Sequence, residues 1–552
     1  MSKWELEAQR KRKQILGAIP SSWILENAKQ QMISAGFTNA RDYIDTIMPP
    51  NEVAITNSTA SELAKKISSG DIRAYEVCYS FCHRAAIAHQ ILNCCTEIFF
   101  ERALQRAKEL DKYFEETGKT AGPLHGIPVS LKDQFNLPGI DTTIGYVSYV
   151  GHKPPYESLL AKILEQKGAI FYVKTTVPMA MLADETESNL HGYTYNAINH
   201  KFTSGGSSGG EGALIAAGGS PIGLGTDIGG SIRTPASFHG LHALRPSHGR
   251  VTYLDVANSY LGQEVIPSVI GPLATSLGDV EMLMKVIVDS HAWELDPKVV
   301  PLEWRDVSAI KHQKLRFGVM WSDGFITPHP PITRALKETV EALKKAGHEV
   351  IEWKFPHQKE VLELAKKVFG ADHGKEVFEV CKISGEPPAE CIKQFVDFSV
   401  QEDGANVNVI DVTEWWKIGQ EKSNLREKFF EHWGRTSEKT SDSRPIDALL
   451  CPVWPTSSFE EGESKYGADN YTVQFNVLDL ASVILPVTTV SQTKDLPYHD
   501  FRPLTDRDEE IQSYYEPTRF DRMPVCIQVA CRRLEEEKAI AVAAVVENSL
   551  KA

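Results

Sequence analysis

The stretch from Gly205 to Arg233 constrains this chain more than any other. It opens as Gly205-Gly206-Ser207-Ser208-Gly209-Gly210-Glu211-Gly212, passes through an apolar run, and closes as Gly225-Thr226-Asp227-Ile228-Gly229-Gly230-Ser231-Ile232-Arg233. Two serines, Ser207 and Ser231, each follow a glycine pair. Glycine admits positive φ and lets other groups approach the backbone closely. Successive N–H groups in such turns converge into a concave anion site. That arrangement suits the oxyanion that develops in acyl transfer.

Glycine pairs alone fit other chemistries. A phosphate-binding P-loop needs Lys after its last glycine, and here Glu211 stands where a cation would help. A dinucleotide fingerprint needs G-x-G-x-x-G, which this run does not match in order. Gly205-Gly206-Ser207-Ser208-Gly209 does fit G-x-S-x-G, the nucleophile elbow of α/β-hydrolases, and would make Ser207 the nucleophile of an esterase. An elbow follows a strand directly, whereas Asn199 to Ser204 is a polar loop.

Hydrophobic periodicity places these pieces on an α/β frame. Residues 126–133 alternate as a strand that brings Lys132 to its end. Ala169 to Lys174, Pro221 to Gly225, His242 to Pro246, Leu315 to Met320, Glu349 to Ile351, 447–452, 480–487 and Pro524 to Ala530 read as further strands. Helices are predicted from Ala74 to about Ile91, over 101–116, 156–168, 211–217, 277–289, 332–346 and 535–550. Thr59-Ala60-Ser61-Glu62 fits a capping box. Thr176 to Leu182 reads as a short helix with Pro178 at its first position. Ser231 is expected to open the helix that follows it, where the helix N-terminus favours negative charge. Thr493 to Pro517 reads as a surface loop, and Trp415 and Trp416 as core.

The nucleophile loop has a partner motif upstream, Gly126-Ile127-Pro128-Val129-Ser130-Leu131-Lys132-Asp133. Together with the two serine pieces it resembles the amidase signature family of serine hydrolases. The likeness extends to the fungal acetamidase-like general amidases through Arg245-Pro246-Ser247-His248-Gly249-Arg250 and His329-Pro330-Pro331-Ile332. The resemblance implies one large mixed, twisted β-sheet covered by helices on both faces. It implies an N-terminal helical region (residues 1–70) packed on an amidase domain (71–552), with a variable helical region (357–440) near the substrate entrance. The implied activity is hydrolysis of a carboxylic amide to a carboxylate and ammonia or an amine. In that reading Ser231 is the nucleophile, Ser207 the bridge and neutral Lys132 the base, in a variant of triad logic. Backbone N–H groups of Ile228, Gly229, Gly230 and Ser231 would hold the oxyanion, with no side chain tolerated at 229 or 230. Met181 would line an apolar acyl site with Met179 and Leu182. Ser208, Asp227 and Arg233 would support the loop. The glutaminase subunit of a tRNA-dependent amidotransferase shares the signature and is the alternative; a binding scaffold without catalysis is a third.

Composition narrows the partners. With Lys+Arg 59 against Asp+Glu 73 the net charge is −14, which disfavours a nucleic-acid groove and an anionic membrane surface. The nine cysteines lack the paired C-x-x-C spacing of structural zinc. Cys78, Cys82, Cys94 and Cys95 therefore read as buried helix thiols rather than as a metal site shared with His83 and His89, and no metal or cofactor is expected. His125, His191, His200, His239, His242 and His248 fall in no triad arrangement. The first twenty residues lack an apolar h-region, and no apolar run is long enough to span a bilayer. The expectation is a cytoplasmic enzyme acting on a small amide and, by resemblance, a homodimer.

Overall fold

The computed structural model describes residues 1–392, 410–463 and 470–552. Strand β2 (Pro128–Lys132) alternates apolar and polar residues, yet all five are buried. Both faces of the strand are covered, as in parallel sheets roofed by helices. The same complete burial holds for β1 (Cys95–Ile98), β3 (Ile170–Thr175), β6 (Ile222–Asp227), β7 (His242–Arg245) and β8 (Val269–Ala274). A hairpin of β4 (Glu187–Ser188) and β5 (Gly192–Tyr193) stands apart. The remaining strands are β9 (Arg316–Val319), β10 (Glu349–Glu352), β11 (Ala448–Pro452), β12 (Ala481–Thr489) and β13 (Pro524–Cys531).

Eleven strands form one sheet in the order β1-β3-β2-β6-β8-β7-β12-β13-β11-β9-β10. The pairs β2–β3, β2–β6, β9–β10 and β9–β11 are parallel, and the other neighbours antiparallel. The sheet is thus mixed. Because β2 and β6 run side by side in the same direction, Lys132 and Asp227 emerge at the same edge. A continuous core joins the sheet to helices from the whole chain, including Ile15, Trp23, Ile44 and Leu63 of the first seventy residues.

Local signals set several element ends. Thr59 and Glu62 close the expected capping box ahead of helix Ala60–Ser68. Helix Phe100–Thr117 stops on left-handed Gly118.

Four expectations fail. Residues 176–182 form only a short 3₁₀ turn, Met179–Met181, preceded by Pro178. Ala180 (φ 59°) and Met181 (φ 61°) are left-handed, a conformation no right-handed helix accommodates. Ser231 does not open a helix, because the helix begins at Arg233 and runs to His239. The 493–517 loop contains helix Asp506–Ser513, started by the Thr505 side chain accepting from the Asp508 amide. Trp416 is 68% exposed, whereas Trp415 packs against the core. In the 357–440 region the helices are Gln358–Phe369, Lys375–Ser384 and Val412–Arg435, and residues 393–409 lie outside the described residues. No helix among the described residues is long and apolar enough to cross a membrane.

Candidate active site

β2 delivers Lys132 into the interior, where its side chain is fully buried. Its Nζ lies 2.7 Å from Ser207 Oγ and 2.7 Å from Thr226 Oγ1. The near neighbours of this amine are therefore hydroxyls. Burial is the largest influence on its basicity, only partly opposed by the acids Asp227 and Glu211, and pushes the pKa down to about 7. Glu211 moves the opposite way for the same reason: burial raises it to about 8, against hydrogen bonds from Ser130 (2.5 Å) and Thr175 (2.8 Å). Near neutral pH both groups approach their uncharged forms.

Ser207 sits in a loop, not at the end of a strand, and a cis peptide joins it to Gly206. That placement and its lysine partner remove the α/β-hydrolase elbow reading. A Cβ at Gly206 would fall 2.2 Å from the Ala183 carbonyl oxygen, so only glycine fits beneath the serine. Helix Gly209–Ala216 follows the serine pair. The Ser208 amide donates to the Ser231 carbonyl at 3.1 Å, tying the two serine segments together. The Ser208 hydroxyl meets both the amide and the carbonyl of Thr226 at 3.3 Å.

The loop carrying Ser231 is braced from below. Arg233 forks onto Asp227 through Nε and Nη2, each at 3.0 Å, with both side chains fully buried. Burial would raise the Asp227 carboxyl, but the Arg233 guanidinium overrides it and holds the group down to about 2. Asp227 also accepts from the Ile232 amide at 3.2 Å. Helix Asn470–Leu478 completes the brace. Asn476 accepts from Arg233 at 2.6 Å and donates to Asp227 at 2.7 Å, and the Thr472 hydroxyl donates to the Gly229 carbonyl at 2.6 Å. Gly230 has φ +147°, and a Cβ there would lie 2.5 Å from Thr472 Oγ1. At Gly229 a Cβ would meet nothing closer than Val473 at 4.0 Å, so the protein itself leaves room there.

Two small adjoining cavities open over the loop. Ser207, Thr226, Ile228, Ser231 and Met181 line the first, and Ile228, Gly229, Ser231, Met181 and Phe369 line the second. The fold thus brings Lys132, Ser207, Ile228, Gly229, Ser231 and Met181 to one place. Met179, expected beside them, is fully buried and packs its sulfur against Cys381 at 3.8 Å. Neither cavity has a histidine among its described lining residues.

Sequence reading missed the groups that hold Thr226. Gln134 accepts from the Thr226 hydroxyl at 2.5 Å and donates to the Ala257 carbonyl at 2.8 Å and to Tyr253 Oη at 2.9 Å. Its place two residues after Lys132 is the only trace in the sequence. Glu211, Thr472 and Asn476 were likewise unassigned.

In the thiol-rich segment His89, Cys94 and Cys95 have ligand-type atoms within 4.8 Å of one another, and His89 Nδ1 accepts the Cys95 amide at 3.1 Å. Contrary to expectation, the helix stops at Leu92 and Cys95 opens β1, so of the four thiols only Cys78 and Cys82 lie on a helix. His83 is engaged by Glu52 at 2.7 Å, and all nine cysteines are free and buried.

Comparison with known proteins gives the family. The sequence profile of the family described as Amidase matches residues 76–540. An acetamidase of Aspergillus oryzae is 38% identical, with 99% of each chain covered. An acetamidase of Emericella nidulans is 37% identical over 98% of this chain and 97% of its own. Among solved structures, a fatty acid amide hydrolase superposes with a TM-score of 0.92 at 34% identity, covering 100% of this chain and 95% of that one. A buried lysine against a serine hydroxyl, a braced glycine loop and likeness over the whole length all lead to one assignment: the chain belongs to the amidase signature family of amide hydrolases.

Proposed function

We propose that this enzyme hydrolyses small carboxylic amides through an acyl-enzyme on Ser231, with Ser207 as proton bridge and neutral Lys132 as base. The observation that carries the reading is the 2.7 Å contact between Ser207 Oγ and a lysine amine that burial pushes down to about 7. A serine hydroxyl is a weak nucleophile until a base takes its proton.

The hydrogen-bond directions around Lys132 favour that role. The Ala257 carbonyl can only accept, so the amide nitrogen of Gln134 faces it and the amide oxygen faces Thr226. Thr226 therefore gives its one hydroxyl proton to Gln134 and can only accept from Lys132. A neutral lysine that donates one N–H to Thr226 can turn its lone pair toward Ser207. The Ser207 proton then passes to Lys132, the Ser231 proton passes to Ser207, and Ser231 Oγ bonds to the amide carbon. Backbone N–H groups of residues 228–231 take the oxyanion, in the manner of preorganised donors. On collapse the C–N bond breaks, and the departing amine takes its proton from Ser207, which recovers one from Lys132. Water repeats the sequence on the acyl-enzyme and releases the carboxylate. Ser208 and the Asp227–Arg233 pair hold the loops in register, and no group in these steps calls for a metal or cofactor.

The narrow cavities at Ser231, bounded by Met181, Leu182, Tyr260 and Phe369, favour a short acyl group. The acetamidase relatives bear names consistent with this. Two measurements test the proposal. A fluorophosphonate probe should label wild type and leave Ser231→Ala unlabelled. Across a series of linear amides, kcat/KM should be highest for acyl groups of a few carbons; a maximum at long chains would overturn the substrate reading while leaving the nucleophile intact.

A further inference from the structure

A further cavity, of about 270 Å³, lies behind the nucleophile loop and collects positive charge. Lys422 and Arg426, one turn apart on helix Val412–Arg435, form one wall, and Arg533, just after β13, forms another. Asp479 is the carboxylate that the two arginines share. It takes Arg533 at 2.8 Å, Arg245 at 3.1 Å and Arg426 at 3.6 Å, as well as the His248 amide at 2.9 Å. Glu264, the other acid on the rim, pairs with Lys298 at 2.6 Å. Lys422 donates to the Val265 carbonyl at 2.6 Å and has no carboxylate within ion-pair distance among the described residues. Three arginines thus share one carboxylate, with Lys422 unpaired beside two of them on the cavity wall, in a chain whose net charge is −14.

The excess carries an energetic cost. Burial, with Arg426 and Arg533 adding to it, pushes the Lys422 amine below its ordinary pKa. Arg426 is lowered in the same direction by burial, with Arg533 and Arg245 contributing. At 3.6 Å its contact with Asp479 is an ion pair without a hydrogen bond, so its guanidinium retains open N–H donors. A guanidinium fork beside an ammonium is the donor set that binds tetrahedral or planar oxyanions. The cavity is polar and large enough for such a guest.

We propose that this cavity is a binding site for a small oxyanion, phosphate or carboxylate, held by Lys422, Arg426 and Arg533. Asn476 lines the same cavity while bonding both Arg233 and Asp227, so the guest would sit one side chain from the brace of the nucleophile loop.

The test is thermal unfolding of the full chain titrated with sodium phosphate, and separately with sodium acetate, against sodium chloride of matched ionic strength. A ligand that binds only the folded state raises Tm along a saturating curve. Wild type should show that curve with at least one of the two anions, and which one identifies the guest. Lys422→Ala/Arg426→Ala should weaken the apparent affinity at least tenfold. Lys417→Ala, an exposed lysine on the same helix, should keep the wild-type curve and serves as the charge control. Melting in chloride alone establishes that the double variant folds. The proposal is overturned if neither anion gives a saturating rise, or if the double variant keeps the full rise.

Discussion

Lys132 and Lys174 occupy the ends of neighbouring parallel strands, both fully buried, and differ in their company. Lys174 faces Asp133 at 3.1 Å and adds the Asp141 carbonyl at 2.7 Å and Thr142 Oγ1 at 2.9 Å. Burial lowers its pKa, but Asp133, Glu97 and Asp141 pull it back up. Lys132 has two hydroxyls as near partners, and its nearest charges, Asp227 and Glu211, are spent elsewhere: one on Arg233, the other held close to neutrality. Equal burial thus produces a structural ammonium in one place and a candidate base in the other. The placement of carboxylates makes the difference, since an adjacent anion stabilises the charged form.

Substitution should separate the two lysines most strongly. With Lys132 as the proposed base, Lys132→Met should lower kcat/KM by ~10³-fold or more, the loss that follows removal of a triad member, while the protein stays folded. Lys174→Met should instead cost about 3–5 kcal/mol of stability, because it leaves Asp133 buried without its cation. Activity assays alongside denaturant melts read both; equal loss of stability in the two variants would break the comparison.

Giving Lys132 an anion should turn it toward the Lys174 state. Thr226→Asp is expected to cut kcat/KM at pH 7 by roughly 100-fold through a raised lysine pKa, with recovery as pH approaches 10. Failure to recover at high pH would mean that geometry, not basicity, was lost.

The wild-type pH profile follows from the same value. Only the free amine accepts a proton, so kcat/KM should rise with pH and level off above about 7, falling about tenfold per unit below it. Stability has a related slope. The folded pKa lies below the ordinary lysine value of 10.5, so the unfolded chain binds the extra proton between the two. Stability should therefore increase with pH over that window. Lys132→Met removes the term, so its stability relative to wild type should fall as the pH is raised from 7 to 10.

Glu211→Gln should have the smallest effect. If the Glu211 carboxyl is already protonated near neutrality, the amide replaces it at equal charge, and the midpoint of the pH profile should move by less than about half a unit. A larger shift would show that Glu211 is ionised beside the lysine.

The local parts of this arrangement were legible in the sequence. Alternation over 126–133 located the strand and its terminal lysine, and paired glycines located both serine loops. The long-range parts were not. Gln134 acquires its orientation from Ala257, 123 positions away, and Arg233 meets Asn476 across 243. No periodicity encodes such contacts, because they arise when strands far apart in sequence become neighbours in the sheet. The turn at 179–181 was misread because an apolar run flanked by proline suits a helix as well as a strained turn held by surrounding packing. The cationic cavity was invisible for the same reason as Gln134: its cations come from residues 422, 426 and 533.

The dependence of Arg233 on Thr472, Asn476 and Gln528 has a consequence for biosynthesis. The hydroxyls and the amine are all translated within the first 231 positions, yet the helix and the strand that secure their loop emerge hundreds of residues later. A nascent chain halted before residue 470 carries the candidate reacting groups without the helix and the strand that brace their loop. Hydrolysis should therefore switch on only once the 470–478 helix and β13 have left the ribosome and packed against the loop.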